Sequence, residues 1–109
     1  MSDIQELIDA LHTFRDERDW AQFHNPKDLA LGISVEAGEL LETFMWKSPD
    51  EAEKADVKEE LADVLAYALL LAGRMNFDVK QIVLDKIQKN ALKYPVDKSR
   101  GSAKKYTEL

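Results

Sequence analysis

Hydrophobic residues along the chain recur at the spacing of amphipathic helices, and polar residues with capping preferences separate the apolar segments. The first segment follows Ser2, whose side chain can form a capping box with Gln5. Its apolar residues share one helix face: Ile4, Leu7, Ile8, Leu11 and Phe14. The stretch ERDWAQFHNP at 17–26 breaks this pattern, so the first helix is expected to end there.

The second and third helices are predicted from their caps. Asn25 caps the second helix, and Pro26 suits its first position. This helix is expected to run to about Trp46 or Lys47. The sequence SPDE at 48–51 has the same features, a serine cap followed by proline at the first helical position and an acid at the third. It predicts that a third helix begins there.

The third helix contains the most apolar run of the chain, LADVLAYALLLAG at 61–73. Gly73 and Asn76 are its predicted stop signals. Asp78, together with the glutamine three residues later, starts a fourth helix. That helix is expected to end before Pro95, because the residue that precedes a proline disfavours the helical conformation.

No segment alternates between apolar and polar residues as a half-buried strand would. We therefore predict an all-α fold, a four-helix bundle-like arrangement in a single domain over 1–109, with an extended tail at 96–109. A helix that is apolar on all sides is normally central in a bundle or buried between subunits. The third helix has this character, so we also expect an oligomer.

The composition narrows the class of protein. With 45% hydrophobic and 33% charged residues, a chain of 109 residues is typical of one soluble globular domain. There is no cysteine, which excludes a disulfide framework and a thiolate metal site. The start of the chain lacks the features of a signal peptide, and the run at 61–73 is shorter than the roughly 18 residues of a membrane span. We expect a cytoplasmic protein with no membrane partner.

The net charge of −6 is unevenly distributed. Residues 1–85 contain 8 Lys/Arg and 19 Asp/Glu, whereas residues 86–109 contain 7 and 2. The acidic body argues against sequence-independent binding to a nucleic-acid backbone, so no nucleic-acid partner is expected. The basic end is interpreted as a solvated segment, as a contact for a neighbouring acidic chain, or as a segment that helps to hold a small anion.

Two pairs of acidic residues stand beside apolar helix positions. Glu36 and Glu39 are three residues apart on the second helix, and Glu60 and Asp63 have the same spacing on the third. If the two helices pack together, four carboxylates converge, and oxygen ligands favour Mg²⁺ or Mn²⁺ bound with substrate phosphates. The alternative is that these are ordinary helix-surface acids. A di-iron site is less well supported, because neither histidine follows a glutamate by three residues.

The motifs EAGE at 36–39 and ELAD at 60–63 resemble those of the MazG-like, all-α nucleoside triphosphate pyrophosphohydrolases. Longer strings are similar to the dCTP pyrophosphatase branch of this family: ERDWAQFHNPKDLAL, FMWKSP, KIQKNALKYPV and KKYTEL. The resemblance implies Mg²⁺-dependent hydrolysis between the α- and β-phosphates, which releases a monophosphate and pyrophosphate. It also implies a homo-oligomer, with a tetramer favoured over a dimer.

The resemblance implies roles for particular residues. Glu36, Glu39, Glu60 and Asp63 would be the catalytic metal ligands, with one of the glutamates also taking the proton from the attacking water. Six further positions would bind the substrate: Trp20, His24, Trp46, Tyr67, Lys86 and Asn90.

Each of these six positions also has a plainer interpretation. The tryptophans and the tyrosine would serve equally as core residues, the histidine as a loop cap, and the lysine as a surface residue. The chain departs from the family pattern at Leu11, where related sequences carry a histidine, so base contacts from the first helix stay open.

The leading hypothesis is therefore a pyrophosphatase that removes unwanted (d)NTPs, with dCTP or a modified dCTP as the substrate. One alternative is the same chemistry on dUTP or another non-standard nucleotide. The other is a helical interaction module without catalytic activity.

Overall fold

The computed structural model describes residues 2–109, and every regular element in that range is helical. The all-α prediction is confirmed. Five α-helices follow one another: α1 (Asp3–Glu17), α2 (Pro26–Glu42), α3 (Lys54–Arg74), α4 (Val79–Lys93) and α5 (Val96–Ser99). Single 3₁₀ turns lie at Ala21–Phe23 and Tyr106–Glu108.

The chain forms two compact units, Met1–Phe77 and Asp78–Leu109. The first contains α1, α2 and α3, and the second contains α4 and α5. The segment at 96–109, predicted to be extended, includes the single turn of α5 and the second 3₁₀ turn. The four-helix bundle and the single domain stay predictions.

Three of the helix starts form as their caps predict. The side-chain oxygens of Ser2, Asn25 and Asp78 each accept a hydrogen bond from the backbone N–H three residues later, at 3.2, 2.9 and 3.0 Å. Each bond satisfies one of the N–H groups that have no partner inside the helix. Local chemistry alone therefore accounts for where α1, α2 and α4 begin.

The end of α2 differs from the prediction, because the helix stops at Glu42 rather than at Trp46 or Lys47. The hydroxyl of Thr43 donates to the carbonyl oxygen of Leu40 at 2.7 Å, and the next backbone bonds span three residues instead of four. Trp46 then adopts a left-handed conformation, with φ of 64°. The side chain of Thr43 competes for a carbonyl at the end of the helix, and the left-handed Trp46 ends the turn that follows.

The start of α3 also differs, because the helix begins at Lys54 and not at the SPDE motif. The hydroxyl of Ser48 donates to the carboxylates of Asp50 and Glu51 rather than capping a helix. Glu53 precedes the first helical residue and makes no capping bond with its side chain. The serine is therefore used in a local turn, and the helix starts a few residues later.

The end of α3 agrees with the prediction at Asn76, which is left-handed with φ of 58° and follows the helix closely. Gly73 lies inside the helix instead of beyond it. A Cβ atom at Gly73 would lie 2.9 Å from Nε2 of His12 on α1. This glycine therefore allows α1 to approach α3. The fourth helix, α4, ends before Pro95 as expected.

Within the first unit, α3 packs against both α2 and α1. The buried apolar residues come from all three helices: Ile8, Leu29, Leu70 and Ala72. This small core fixes the position of α2 relative to α3. The distance between the two acidic pairs depends on that position.

No helix within residues 2–109 combines the length and apolar character needed to cross a membrane. The cytoplasmic location stays a prediction.

One contact between α2 and α3 depends on the absence of a side chain. A Cβ atom at Gly32 would lie 2.5 Å from Cδ1 of Tyr67 and closer still to Cε1. At Gly38, on the same helix, a Cβ atom would have no neighbour within 4 Å. The ring of Tyr67 therefore lies against the backbone of α2 at Gly32.

We expect Gly32→Ala to lower the melting temperature and Gly38→Ala to raise it. Alanine gains about 1 kcal/mol over glycine inside a helix, but overpacking costs roughly 1–3 kcal/mol where the ring must move. Thermal unfolding of both variants measures the difference. In a Tyr67→Ala background the clash is gone, so Gly32→Ala should stabilise there. Stabilisation by Gly32→Ala in the wild-type background would contradict the close contact.

Candidate active site

The packing of α2 against α3 brings the acidic pairs together. One carboxylate oxygen each from Glu36, Glu60 and Asp63 lies within 4.8 Å of the other two. Glu39 is outside this group of three, but its carboxylate is close enough to raise the pKa values of both Glu36 and Glu60. Three of the four predicted ligands therefore converge, and the fourth lies beside them.

The carboxylates are poorly satisfied by the protein itself. Oε2 of Glu36 and Oε2 of Glu60 are buried and have no hydrogen-bond partner within residues 2–109. Burial raises the pKa of Glu36 to about 7, with further contributions from a hydrogen bond to Glu39 and from the neighbouring carboxylates. Burial also raises the pKa of Glu60, and repulsion from the carboxylates of Glu39 and Asp63 raises it further. A bound cation would offset these costs, so this donor set fits a divalent metal ion.

A cavity of about 380 Å³ opens beside two of the acids, Glu36 and Asp63. Its walls include the aromatic rings of Phe14, Trp20 and Tyr67. A second cavity, of about 350 Å³, shares the two latter rings and adds residues from the start of α2. The acids therefore lie at the edge of a space that is bordered by three aromatic rings.

The segment after α1 places the ring of Trp20. Asp19 has a left-handed φ of 53°, and the backbone N–H of Trp20 donates to the carbonyl oxygen of Arg15 at 3.0 Å. The chain thus folds back on the last turn of α1. The ring of Trp20 meets that of Phe14 edge-to-face, with centroids 5.8 Å apart, while the guanidinium of Arg18 covers the Phe14 ring at 3.7 Å.

His24 lines both cavities and ends the first 3₁₀ turn. Burial lowers the pKa of its imidazole, and the positive charge of Arg15 lowers it further. The lowered pKa favours the neutral imidazole, which has one N–H and one acceptor nitrogen. Its Nδ1 is buried without a hydrogen-bond partner among residues 2–109, so a ligand in the cavity has a polar atom to meet.

The other predicted substrate-binding residues lie elsewhere. Trp46 is 97% exposed in the turn after α2 and lines neither of these cavities. Lys86 and Asn90 are one turn apart on α4, in the second compact unit. The roles of these three residues stay predictions.

Sequence reasoning did not single out Arg15, which lines the larger cavity. Leu11 lines it too, so the position where the chain departs from the family pattern faces this space. The sequence does show that residues 11 and 15 share a helix face, because they are four apart. The sequence alone did not show that this face of α1 borders a cavity.

A profile of the MazG-like family matches residues 31–109, a range that contains both acidic pairs. The chain belongs to the MazG-like family, and the resemblance stated from EAGE and ELAD is confirmed. Among curated relatives, dCTP pyrophosphatase 1 of Mus musculus is 48% identical over 95% of this chain, and that of Homo sapiens is 44% identical over 95%. The chain spans 66% of the length of each of these two proteins.

A solved structure has the same fold. A pyrophosphatase from Archaeoglobus fulgidus superposes with a TM-score of 0.80 at 41% identity, over 87% of this chain and 94% of that one. The similarity extends well beyond the acidic motifs to most of the helical framework.

The crowded carboxylates predict how the stability of the metal-free protein changes with pH. The folded-state pKa of Glu36, about 7, exceeds its ordinary value of 4.5, so the folded state binds the proton more tightly than the unfolded state. This stabilisation is complete below about pH 4.5 and is lost as the pH rises through about 7. The melting temperature in a chelator should therefore fall over this range, and excess Mg²⁺ should restore it near neutral pH.

Glu36→Gln is the matched control, because it keeps the shape of the side chain and removes the titrating group. Its melting temperature in a chelator should depend less on pH than that of the wild type. The raised pKa of Glu36 would be contradicted if the melting temperature of the wild type rose relative to that of Glu36→Gln as the pH increases from about 5 to 7.

Proposed function

We propose that the protein hydrolyses nucleoside triphosphates between the α- and β-phosphates, releasing a monophosphate and pyrophosphate. The observation that carries this proposal is the group of three carboxylate oxygens within 4.8 Å of one another at the edge of an aromatic cavity. Such an arrangement suits a metal-bound triphosphate with a base among the rings. The names of the relatives, pyrophosphatases in each case, support the same chemistry.

The proposed cofactor is Mg²⁺, with Mn²⁺ as a substitute, held by Glu36, Glu39, Glu60 and Asp63. Oxygen ligands without nitrogen or sulfur favour hard divalent ions. When bound, the ion neutralises phosphate oxygens and makes a water molecule more acidic. The buried oxygens of Glu36 and Glu60 that lack partners support their assignment as ligands.

Glu39 is the proposed proton acceptor for the attacking water. It is exposed and lies beside the group of three, so a water molecule can reach its carboxylate. In the proposed step the water oxygen forms a bond to the α-phosphorus, the bond from that phosphorus to the bridging oxygen breaks, and pyrophosphate leaves. The water proton passes to the carboxylate of Glu39.

The aromatic rings of Trp20 and Tyr67 are proposed to contact the base and the sugar, with His24 at the base edge. Trp46, Lys86 and Asn90 are proposed substrate residues on the family resemblance alone. The favoured substrate is dCTP or a 5-substituted dCTP, because an apolar wall tolerates an added methyl group. Ribonucleotides should react more slowly, since Tyr67 is held close against α2 and leaves little space at the sugar.

The test is incubation with Mg²⁺ and a panel of nucleoside triphosphates, followed by separate assays of pyrophosphate and orthophosphate. We expect pyrophosphate as the first product and the highest kcat/KM for dCTP or 5-methyl-dCTP. Glu39→Gln and Asp63→Asn should each lower kcat on the order of 10²–10³-fold, since each removes a group that acts on developing charge. Both should keep the helical circular dichroism of the wild type.

Glu42→Gln is the control for charge, because it removes an acid from the end of α2 outside the group of three. Its turnover should equal that of the wild type. Orthophosphate as the first product would refute cleavage between the α- and β-phosphates. A tenfold preference for dUTP or a purine nucleotide would refute the choice of base, and wild-type turnover by Asp63→Asn would refute its assignment as a ligand.

We also propose that the chain assembles into a homo-oligomer, a tetramer in preference to a dimer. Large apolar side chains remain exposed on both helices that carry the acids, among them Leu31, Val35 and Leu65 at 60, 53 and 53%. Association would cover such side chains. Light scattering at micromolar concentration should give about four times the chain mass of 12.4 kDa. A monomer at that concentration would contradict the proposal.

A further inference from the structure

Arg15 occupies an unexpected place for a charged residue. It lies in the last turn of α1 and lines the cavity that also borders Glu36 and Asp63. Its side chain is only 19% exposed. An arginine that is largely covered and lines a substrate-sized space can bind a ligand there, provided that its donors are available.

The available donors are the two terminal nitrogens. Nε of Arg15 donates to Oδ1 of Asp16 at 2.8 Å, and this is the one side-chain hydrogen bond that Arg15 makes within residues 2–109. The bond lowers the pKa of Asp16, so that carboxylate stays ionised and holds the guanidinium in place. Nη1 and Nη2 then present parallel N–H groups whose orientation is set by the planar guanidinium.

Within this cavity, Arg15 is adjacent to Trp20 and His24, two of the residues proposed to contact the base. Its backbone oxygen accepts from Trp20, and its charge contributes to the lowered pKa of His24. Glu36, in contrast, is surrounded by the carboxylates of Glu60 and Asp63. If the triphosphate is bound at the carboxylates, as the proposed function requires, the base lies at the end with Arg15, Trp20 and His24.

The hydrogen-bonding pattern of the base then matters. Cytosine has two adjacent acceptors, O2 and N3, whereas uracil and thymine have N3–H, a donor, between their two oxygens. Two parallel donors can therefore pair with O2 and N3 of cytosine. In uracil, one of them would face the N3–H group, which is itself a donor. The C5 position is on the opposite side of the ring from O2, so a 5-methyl group does not interfere with this contact.

We propose that Arg15 is a specificity-determining residue that donates two hydrogen bonds to O2 and N3 of cytosine. This inference rests on the proposed function, because the acidic end of the cavity defines where the base lies. A bidentate arginine contact with a base gives roughly 10- to 100-fold discrimination against a base that lacks the acceptor pair. The discrimination arises because a donor that meets another donor in a water-poor site loses its partner.

The test compares kcat/KM for dCTP and dUTP in Arg15→Ala and in Arg15→Lys, which keeps the charge but not the paired donors. Both variants should lower kcat/KM for dCTP about 10- to 100-fold, mainly through KM, and change that for dUTP less than about threefold. Inhibition by inorganic tripolyphosphate should stay unchanged. Arg74→Ala, which removes an exposed arginine at the end of α3, is the control and should leave the ratio as in the wild type.

Three outcomes would overturn the proposal. Equal losses for dCTP and dUTP with weaker inhibition by tripolyphosphate would place Arg15 at the phosphates. Unchanged constants for both nucleotides would show that it contacts neither base. A loss confined to dGTP would show that the donors read O6 and N7 of guanine, the other adjacent acceptor pair. Circular dichroism of both variants confirms that they fold.

Binding measured by tryptophan fluorescence separates this inference from the proposed function. Selective binding of dCTP that requires Arg15, without release of pyrophosphate, would refute the hydrolytic function and leave the inference intact. Release of pyrophosphate with a dCTP preference that survives both variants would refute the inference and leave the function intact.

Discussion

The repulsion between carboxylates at the interface of α2 and α3 is the constraint on which the rest of the site depends. Apolar packing between these helices holds Glu36, Glu60 and Asp63 together although their charges oppose it. The folded protein therefore carries an unfavourable local arrangement that the small core must outweigh. A bound cation would offset this cost, and the packing of α2 against α3 supplies both the core and the positions of the carboxylates.

Features set by neighbouring residues were predictable from the sequence. The caps at Ser2, Asn25 and Asp78 require only a side chain and a backbone N–H three residues away. The wrong boundaries arose where two local interactions compete. Thr43 bonds to a carbonyl at the end of α2, and Ser48 bonds to nearby carboxylates, so a helix signal was present but not used. Composition does not reveal which of two competing partners is chosen.

The candidate site was predictable to a similar extent. Regular spacing predicted that the two acids of each pair share a helix face, since i and i+3 positions are neighbours. The packing of α2 against α3 then brings the two pairs near one another. The contribution of Arg15 was not predictable, because it depends on how α1 packs and on how the chain folds back after Asp19. Residues contributed by a third element require the tertiary structure.

The contact between Gly32 and Tyr67 has a further consequence for ligand binding. A ring that lies against helix backbone has no space to retreat on that side, so this wall of the cavity is already ordered before a ligand arrives. Little conformational entropy of Tyr67 remains to be lost on association. The same rigidity limits adaptation, because a bulkier ligand has to displace a helix rather than rotate a side chain.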